Sequence, residues 1–577
     1  MRSLKTLLLG GVSLAVLTAP ALAQSDPFAG FVPVTDEMIQ NPDDEDWISW
    51  RRTVNNWGYS PLDQINRDNA GSLTHVWSRS MEDGFQEATP VVYDGIMFLP
   101  HPNDVVQALD ATTGDLLWEY RRQLPDDVGG IMATRGLGLW QDRVILMSKD
   151  NVMVALDATS GEVIWETAVR APDGGIQTST VTVANGVAVS GRSCFTAENC
   201  FVAAHDLETG EELWRFYTLP QEGQPGSETW GDVPMEARRH VGSWAAAPAF
   251  DPELNMIYIG TSVTNPYPKF FFADIEDIDN EFLYQTSTLA LNAETGELVW
   301  YQQHIRDQWD LDHPFERIIL DTAIAPNPDE VRWINPNVTP GEERQVLTGI
   351  PGKTGIFYSI DRLTGEFLWA RETTYQNVVL DIDPSNGRAT MNAELFPTET
   401  GQQFLVCPAA GGGKDWMAGA YSPDTNAIYY PLQNFCMDSV VTDTDIELTP
   451  FVMAPGEENA GTIQAVSVET GELLWKFETR AAAMSSVLAT GGGLIFQGDY
   501  NRRFRALDDT TGEVLWETIV ASQVGGYPIS YAVDGRQYVA IPVGATLISG
   551  GYYAPVTPEL RPGSSGNSIY VFALPES

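Results

Sequence analysis

The chain has 577 residues, of which 43% are hydrophobic, and a formal net charge of −45 with a pI near 4.2. That balance repels nucleic acid and anionic membrane surfaces and attracts basic partners. Six His, four Cys and no CxxC or CxxCH run argue against a zinc site and exclude covalently attached haem c.

In chain order, Met1–Ala23 comes first: Arg2 and Lys5, a short apolar core, then Ala21 and Ala23 ahead of Gln24. This is the pattern of a cleaved export signal, so one folded domain is expected over 24–577, outside the cytoplasm in the periplasm. No later run reaches the roughly 18–20 apolar residues of a membrane helix. From there a phrase recurs, weakly at Trp77, then as "ALDATTGDLLWEY" ending at Tyr120 and "ALDATSGEVIWET" at Thr167. Further copies close on Trp214, Trp300, Trp369, Trp475 and Trp516. The Thr-Gly or Ser-Gly pair supplies a hairpin turn, the flanking alternation reads as strand, and the Trp packs inward. Spacing of about 40–50 residues where no loop intervenes is that of four-stranded propeller blades. The expected fold is therefore all-β: an eight-bladed β-propeller with long inserted loops over one face. The even cysteine count in an oxidising compartment predicts two local disulfides, Cys194–Cys200 and Cys407–Cys436.

The segment "RDQWDLDHP" gathers Asp307, Asp310 and Asp312 around Trp309. In extended backbone Asp310 and Asp312 face the same way, which suits a hard cation or proton transfer; a solvated acidic loop is the other reading. A glycosidase pair is excluded, because carboxyls two residues apart do not flank a bond from opposite faces.

With its Trp-ended repeats and the motifs between them, the chain resembles the quinoprotein alcohol dehydrogenases. These are eight-bladed propellers with tryptophan-docking repeats and pyrroloquinoline quinone as cofactor. It is most similar to the soluble sorbose/sorbosone dehydrogenase type, through "NCFVAAHDLETGEELWR", "VLTGIPGKTG" and "ISYAVDGRQYVAIPVG". The resemblance implies cofactor contacts at Glu87, Arg135, Thr178, Ser193, Trp244, Lys353, Asp415 and Trp416. It implies a catalytic base at Asp310 with Lys353 beside it, and metal ligands among Glu198, Asn265 (or Ser262), Asp310 and Asp312. The implied ion is Ca²⁺, with a lanthanide open through Asp312. Two departures stand out: Gly129 and Gly130 occupy positions where many members carry adjacent cysteines, and Asp415 stands where many have Asn. The implied partners are a small alcohol or sugar and a soluble cytochrome c as electron acceptor; monomer and homodimer both stay open. Glu87, Arg135 and Lys353 also fit inter-blade ion pairs. The rival reading is a non-catalytic propeller scaffold of the outer-membrane assembly kind.

Overall fold

The computed structural model describes residues 27–126, 128, 133–170, 177–264, 268–307, 310–563 and 566–576. The leader expected over 1–23, Gly129, Gly130, Asn265 and Trp309 lie outside these residues. The described residues are built almost wholly of antiparallel strands; among them the longest helical element of ordinary α type is Asp36–Gln40.

In one sheet the strands Val91–Tyr93, Ile96–His101, Val105–Asp110 and Leu116–Arg121 lie side by side in sequence order. The first three are buried almost throughout, while Leu116–Arg121 alternates, with Trp118 turned inward. The first strand therefore faces the middle of the protein and the last one faces water. The order repeats in sheets running from Gly138–Trp140 to Val163–Ala168, from Val181–Ala184 to Glu212–Tyr217 and from Ala249–Asp251 to Leu298–Gln303. It continues from Ile318–Ile324 to Phe367–Glu372, from Ala420–Ser422 to Leu473–Thr479, and from Leu488–Thr490 to Val514–Ile519. The last sheet contains both ends of the fold, because Thr74–Ser80 pairs with Ser568–Ala573. Hydrogen bonds thus join a strand from early in the chain to the last strand of the fold and cover what would be a bare sheet edge.

The repeat phrase has a physical reading at each position. In "ALDATSGEVIWET", Asp157 Oδ1 accepts hydrogen bonds from the backbone N–H groups of Thr159 and Ser160, both at 2.9 Å. Gly161 then turns the chain at φ +72°, donating to the Asp157 carbonyl at 2.8 Å. The indole of Trp118, from the preceding sheet, lies over that turn and donates from Nε1 to the Ala158 carbonyl at 2.9 Å. A Cβ on Gly161 would come within 2.6 Å of the indole. The same bond joins Trp77 to Ala111, Trp214 to Ala293 and Trp475 to Asp509. A bulge one residue before the Trp recurs along the chain and aims the ring inward. Trp369 departs from the pattern. Fully buried and stacked on Phe357 with ring planes 3° apart, its indole nitrogen has no hydrogen-bond partner.

Both expected disulfides, Cys194–Cys200 and Cys407–Cys436, are formed. An additional three-stranded sheet, Gln403–Val406, Phe435–Val441 and Ile446–Met453, stands apart from the repeats. Among the described residues, no helix is long and apolar enough to cross a membrane.

Candidate active site

The segments that lead into the first strands of six sheets carry Glu87, Arg135, Thr178, Trp244, Asp310 with Asp312, and Asp415 with Trp416. Because those strands are innermost, the segments converge, and their side chains line one cavity of about 380 Å³. Ser193, Ser262 and Lys353 line the same cavity from loops after or before other strands. The sequence separates these residues by up to 329 positions, from 87 to 416, and the fold returns each to one place.

On one wall Arg135 is nearly fully buried. It donates from Nη2 to Glu87 Oε2 at 2.5 Å, and from Nη1 to the carbonyls of Thr178 and Trp244 at 3.0 and 3.1 Å. Its guanidinium carbon lies 5.0 Å from the Trp244 ring centroid, and its Nε has no partner. Burial pushes the Glu87 carboxyl up from the usual range, and Arg135 opposes this. Thr178 donates from Oγ1 to the same Trp244 carbonyl at 3.0 Å, so the backbone at Trp244 is held twice.

On the opposite chemical side, Lys353 Nζ donates to Asp310 Oδ1 at 3.1 Å. Burial, and the neighbouring Asp312 and Asp307 carboxylates, push Asp310 up to about 8 although Lys353 pulls it down. Lys353 is raised, its desolvation outweighed by Asp310, Asp415 and Asp312. The Lys353 backbone N–H donates to the Asp312 carbonyl at 2.9 Å, and its carbonyl accepts from Gly413 at 2.8 Å. Gly412, at φ +72°, allows this approach, since a Cβ there would meet Lys353 Cα at 3.0 Å. Beneath, Lys414 and Glu316 pair at 2.7 Å with both side chains wholly buried, tying the segment after Asp312 to the one before Asp415. Burial pushes Asp415 up to about 6, against Lys353. Asp415 Oδ1 and the Trp416 indole nitrogen are buried with no partner.

The charged residues that also fitted inter-blade ion pairs are thus paired inside the cavity, Arg135 with Glu87 and Lys353 with Asp310. These two cations, the unpartnered N–H donors Arg135 Nε and Trp416 Nε1, and the Trp244 ring suit a flat, anionic molecule with carboxylate and carbonyl oxygens, while the unpartnered Asp415 Oδ1 can accept only from a donor of that molecule. Pyrroloquinoline quinone is such a molecule, and the residues fit it.

They fit a hard cation less well. Asp312 Oδ2 accepts from Trp244 Nε1 at 2.7 Å and Oδ1 from Val263 N–H at 2.8 Å. Ser262 Oγ donates to the His240 carbonyl at 2.7 Å and accepts from Gly242 N–H at 2.9 Å. Glu198, expected as a ligand, does not line the cavity. It sits exposed on the short turn Ala197–Asn199, inside the small ring closed by Cys194–Cys200. Nothing in its position supports a ligand role there. Among the described residues no group of three or more His, Cys, Asp or Glu side chains is placed to hold a metal. A Ca²⁺ ion takes about six to eight oxygens, and the described side chains do not assemble them.

Sequence reasoning missed the outer lining. Cys194, Phe195, His240, Val263, Ala410, Phe451, Leu547, Ile548 and Tyr552 complete the cavity. Phe195 lies between the two ring-forming cysteines, which was the one available signal.

A family model for the glucose/ethanol/alcohol dehydrogenase β-propeller domain that carries pyrroloquinoline quinone matches residues 47–375 and 478–539. The dehydrogenase subunit of a quinone alcohol dehydrogenase from Acetobacter aceti is 33% identical, covering 88% of this chain and 73% of its own. Quinoprotein alcohol dehydrogenase PedE of Pseudomonas putida is 30% identical, covering 99% and 96%. Among solved structures, quinohemoprotein alcohol dehydrogenase ADHIIG from Pseudomonas putida superposes with a TM-score of 0.81 at 29% identity, covering 94% of this chain and 83% of that one. These relatives are alcohol dehydrogenases and do not support the narrower likeness to the sorbose/sorbosone type. The all-β propeller with its converging charged cavity belongs to the family of quinoprotein, pyrroloquinoline-quinone-dependent alcohol dehydrogenases.

Proposed function

We propose that the protein is a periplasmic dehydrogenase that oxidises primary or secondary alcohols, polyols or sugars to aldehydes or ketones, with Asp310 as general base. The observation that carries this is the Lys353–Asp310 pair at 3.1 Å in the same cavity as the Arg135–Glu87 pair and the Trp244 ring. Bound there, the quinone supplies an electrophilic carbonyl carbon that accepts hydride.

The protein's own residues do the rest. Arg135 and Lys353 hold anionic oxygens, and Trp244, fixed by Asp312 and by its own twice-bonded carbonyl, presents a flat face against a flat ring. Asp310 takes the hydroxyl proton of the alcohol at a carboxylate oxygen as hydride leaves the carbinol carbon. Its raised pKa makes it a better proton acceptor once ionised, while the Lys353 ammonium keeps the ionised form within reach. Lys353 also stabilises negative charge that develops beside it.

Further parts of this reading rest on sequence. The Met1–Ala23 pattern and two disulfides favour an oxidising compartment. Electrons pass to a cytochrome c, and the charge of −45 favours a basic one. Each of the eight four- or five-stranded sheets is read as one blade. Ca²⁺ or a lanthanide is carried by the family likeness alone, and no step is routed through it. Titrating apoprotein with pyrroloquinoline quinone and assaying alcohol-dependent dye reduction tests the reading; absence of quinone binding overturns it.

A further inference from the structure

Asp310 stands on the segment between the strands Leu298–Gln303 and Ile318–Ile324. One neighbouring connection, which joins Met256–Gly260 to Ser287–Asn292, holds that segment on both sides of Asp310. Beyond Asp310, Asp312 Oδ1 accepts from Val263 N–H at 2.8 Å, and the His313 N–H donates to the Thr261 carbonyl at 3.2 Å. Ahead of it, Gln303 Nε2 donates to the Glu281 carbonyl at 2.8 Å, the His304 N–H to the Thr286 carbonyl at 3.0 Å, and Thr286 Oγ1 to the Ile305 carbonyl at 2.6 Å.

The tether nearest the base on this side is the Arg306 side chain, which is 8% exposed. Its Nε donates to Asp279 Oδ1 at 2.7 Å and its Nη2 to Oδ2 at 3.4 Å, a fork on one carboxylate of the same connection. Its Nη1 reaches the Ala389 carbonyl at 3.1 Å, on the strand Ala389–Met391 of a two-stranded sheet outside the repeats. Asp307 Oδ2 then accepts from Leu311 N–H at 3.1 Å, which closes a short loop around Asp310. Lys269, wholly buried, adds a second cation facing Asp307 and Asp279.

One guanidinium therefore joins three separate segments at the start of the loop that carries the base. A base displaced by about 1 Å loses about 100-fold in rate, so the pin at the loop's start bears directly on the reaction. The far side of the loop keeps its bonds to Val263 and Thr261 without Arg306, and with them Asp312 keeps its hold on Trp244. Loss of Arg306 thus frees Asp310 while leaving the wall offered to the quinone in place.

We propose that Arg306, through its fork on Asp279 and its bond to the Ala389 carbonyl, is a positioning residue that sets the reach of the Asp310 carboxylate. This rests on the reading of Asp310 as general base and adds the residue that aims it.

The test compares Arg306→Met, Arg306→Lys and Asp279→Ala with wild type by alcohol-dependent dye reduction at saturating quinone. Quinone affinity is read by absorbance titration, and Arg306→Met is repeated in the Asp310→Asn background. The inference expects kcat to fall about 10- to 100-fold in Arg306→Met, with KM and quinone affinity within about threefold of wild type. Arg306→Lys, which keeps a bond to Asp279, recovers part of the loss. In the Asp310→Asn background Arg306→Met costs nothing further, because residues that act as a unit are not additive. The Asp279 side chain is 56% exposed, so Asp279→Ala spares the fold and lowers kcat in the same sense; if Arg306→Met does not fold, this variant decides. Wild-type kcat in Asp279→Ala and in every Arg306 variant that folds overturns the inference. So does a fall in quinone affinity that matches the fall in kcat, or an equal loss in the Asp310→Asn background. Full activity in Asp310→Asn alone overturns the general-base reading itself; an impaired Asp310→Asn beside unimpaired Arg306 and Asp279 variants overturns the positioning role and leaves that reading intact.

Discussion

Replacing Lys353 by Met keeps the length of the side chain and removes the ammonium that lies 3.1 Å from Asp310 Oδ1. With Lys353 present, burial and the neighbouring carboxylates leave Asp310 at about 8. A charge-assisted hydrogen bond contributes about 1.5–3 kcal/mol, and about 1.4 kcal/mol corresponds to one pKa unit. Loss of the ammonium therefore raises Asp310 by roughly one to two units. The base must be ionised to accept a proton, so kcat/KM rises with pH through the pKa of the free enzyme. In Lys353→Met the acid limb of that profile moves from near 8 toward roughly 9–10. The assay is dye reduction across pH 6–11 with quinone at saturation, to separate this shift from weakened cofactor binding. An acid limb at the same pH in both proteins refutes the coupling. Stability gives an independent check with a definite sign. Asp310 is raised in the folded state from 3.8 to about 8, so between those values the folded apoprotein binds more protons than the unfolded chain. Its contribution to stability is therefore present at low pH and lost as pH rises through that window. Asp310→Asn flattens this part of the melting-temperature profile.

Arg135→Met leaves Glu87 without its partner and removes a cation facing the quinone. Quinone affinity, read by absorbance titration, falls about 10- to 150-fold, whereas an unchanged affinity would place the cofactor elsewhere. Gly161→Ala forces a Cβ within 2.6 Å of the Trp118 indole at φ +72°, and costs about 2–4 kcal/mol from backbone strain and lost packing. It should lower the thermal midpoint clearly, and a midpoint within 1 °C of wild type, about the size of scan error, would contradict the packing described. Because Asp312 and Ser262 are engaged within the protein, Ca²⁺ or La³⁺ is expected to bind apoprotein weakly and more tightly once quinone is present, by reciprocal linkage. Stoichiometric metal on quinone-free protein at micromolar concentration would show a complete protein-built site.

How much of this was legible in the sequence depends on how local the cause is. Asp157, Gly161 and Trp118 act within a turn and its nearest neighbour, so the repeat phrase revealed them. Glu87, Arg135, Thr178 and Trp244 were found through the family resemblance, and the structure places each a few residues ahead of an inner strand. The position of Glu198 could not be found, because the short Cys194–Cys200 ring turns it outward. Nor could the outer lining of the cavity, where Phe451 and Tyr552 meet across a hundred residues through an inserted sheet with no periodic pattern. Trp369 closes its repeat like the others, yet its unbonded indole depends on packing that the phrase does not encode.

The most direct test is one titration paired with one rate. Apoprotein and its Asp310→Asn variant are each titrated with pyrroloquinoline quinone, and alcohol-dependent dye reduction is then measured at saturation. The account predicts that both bind one quinone per chain and that the variant loses about 10²–10⁴-fold in kcat, the range for a general base. Quinone binding by neither protein, or full activity in the Asp310→Asn variant, would contradict it.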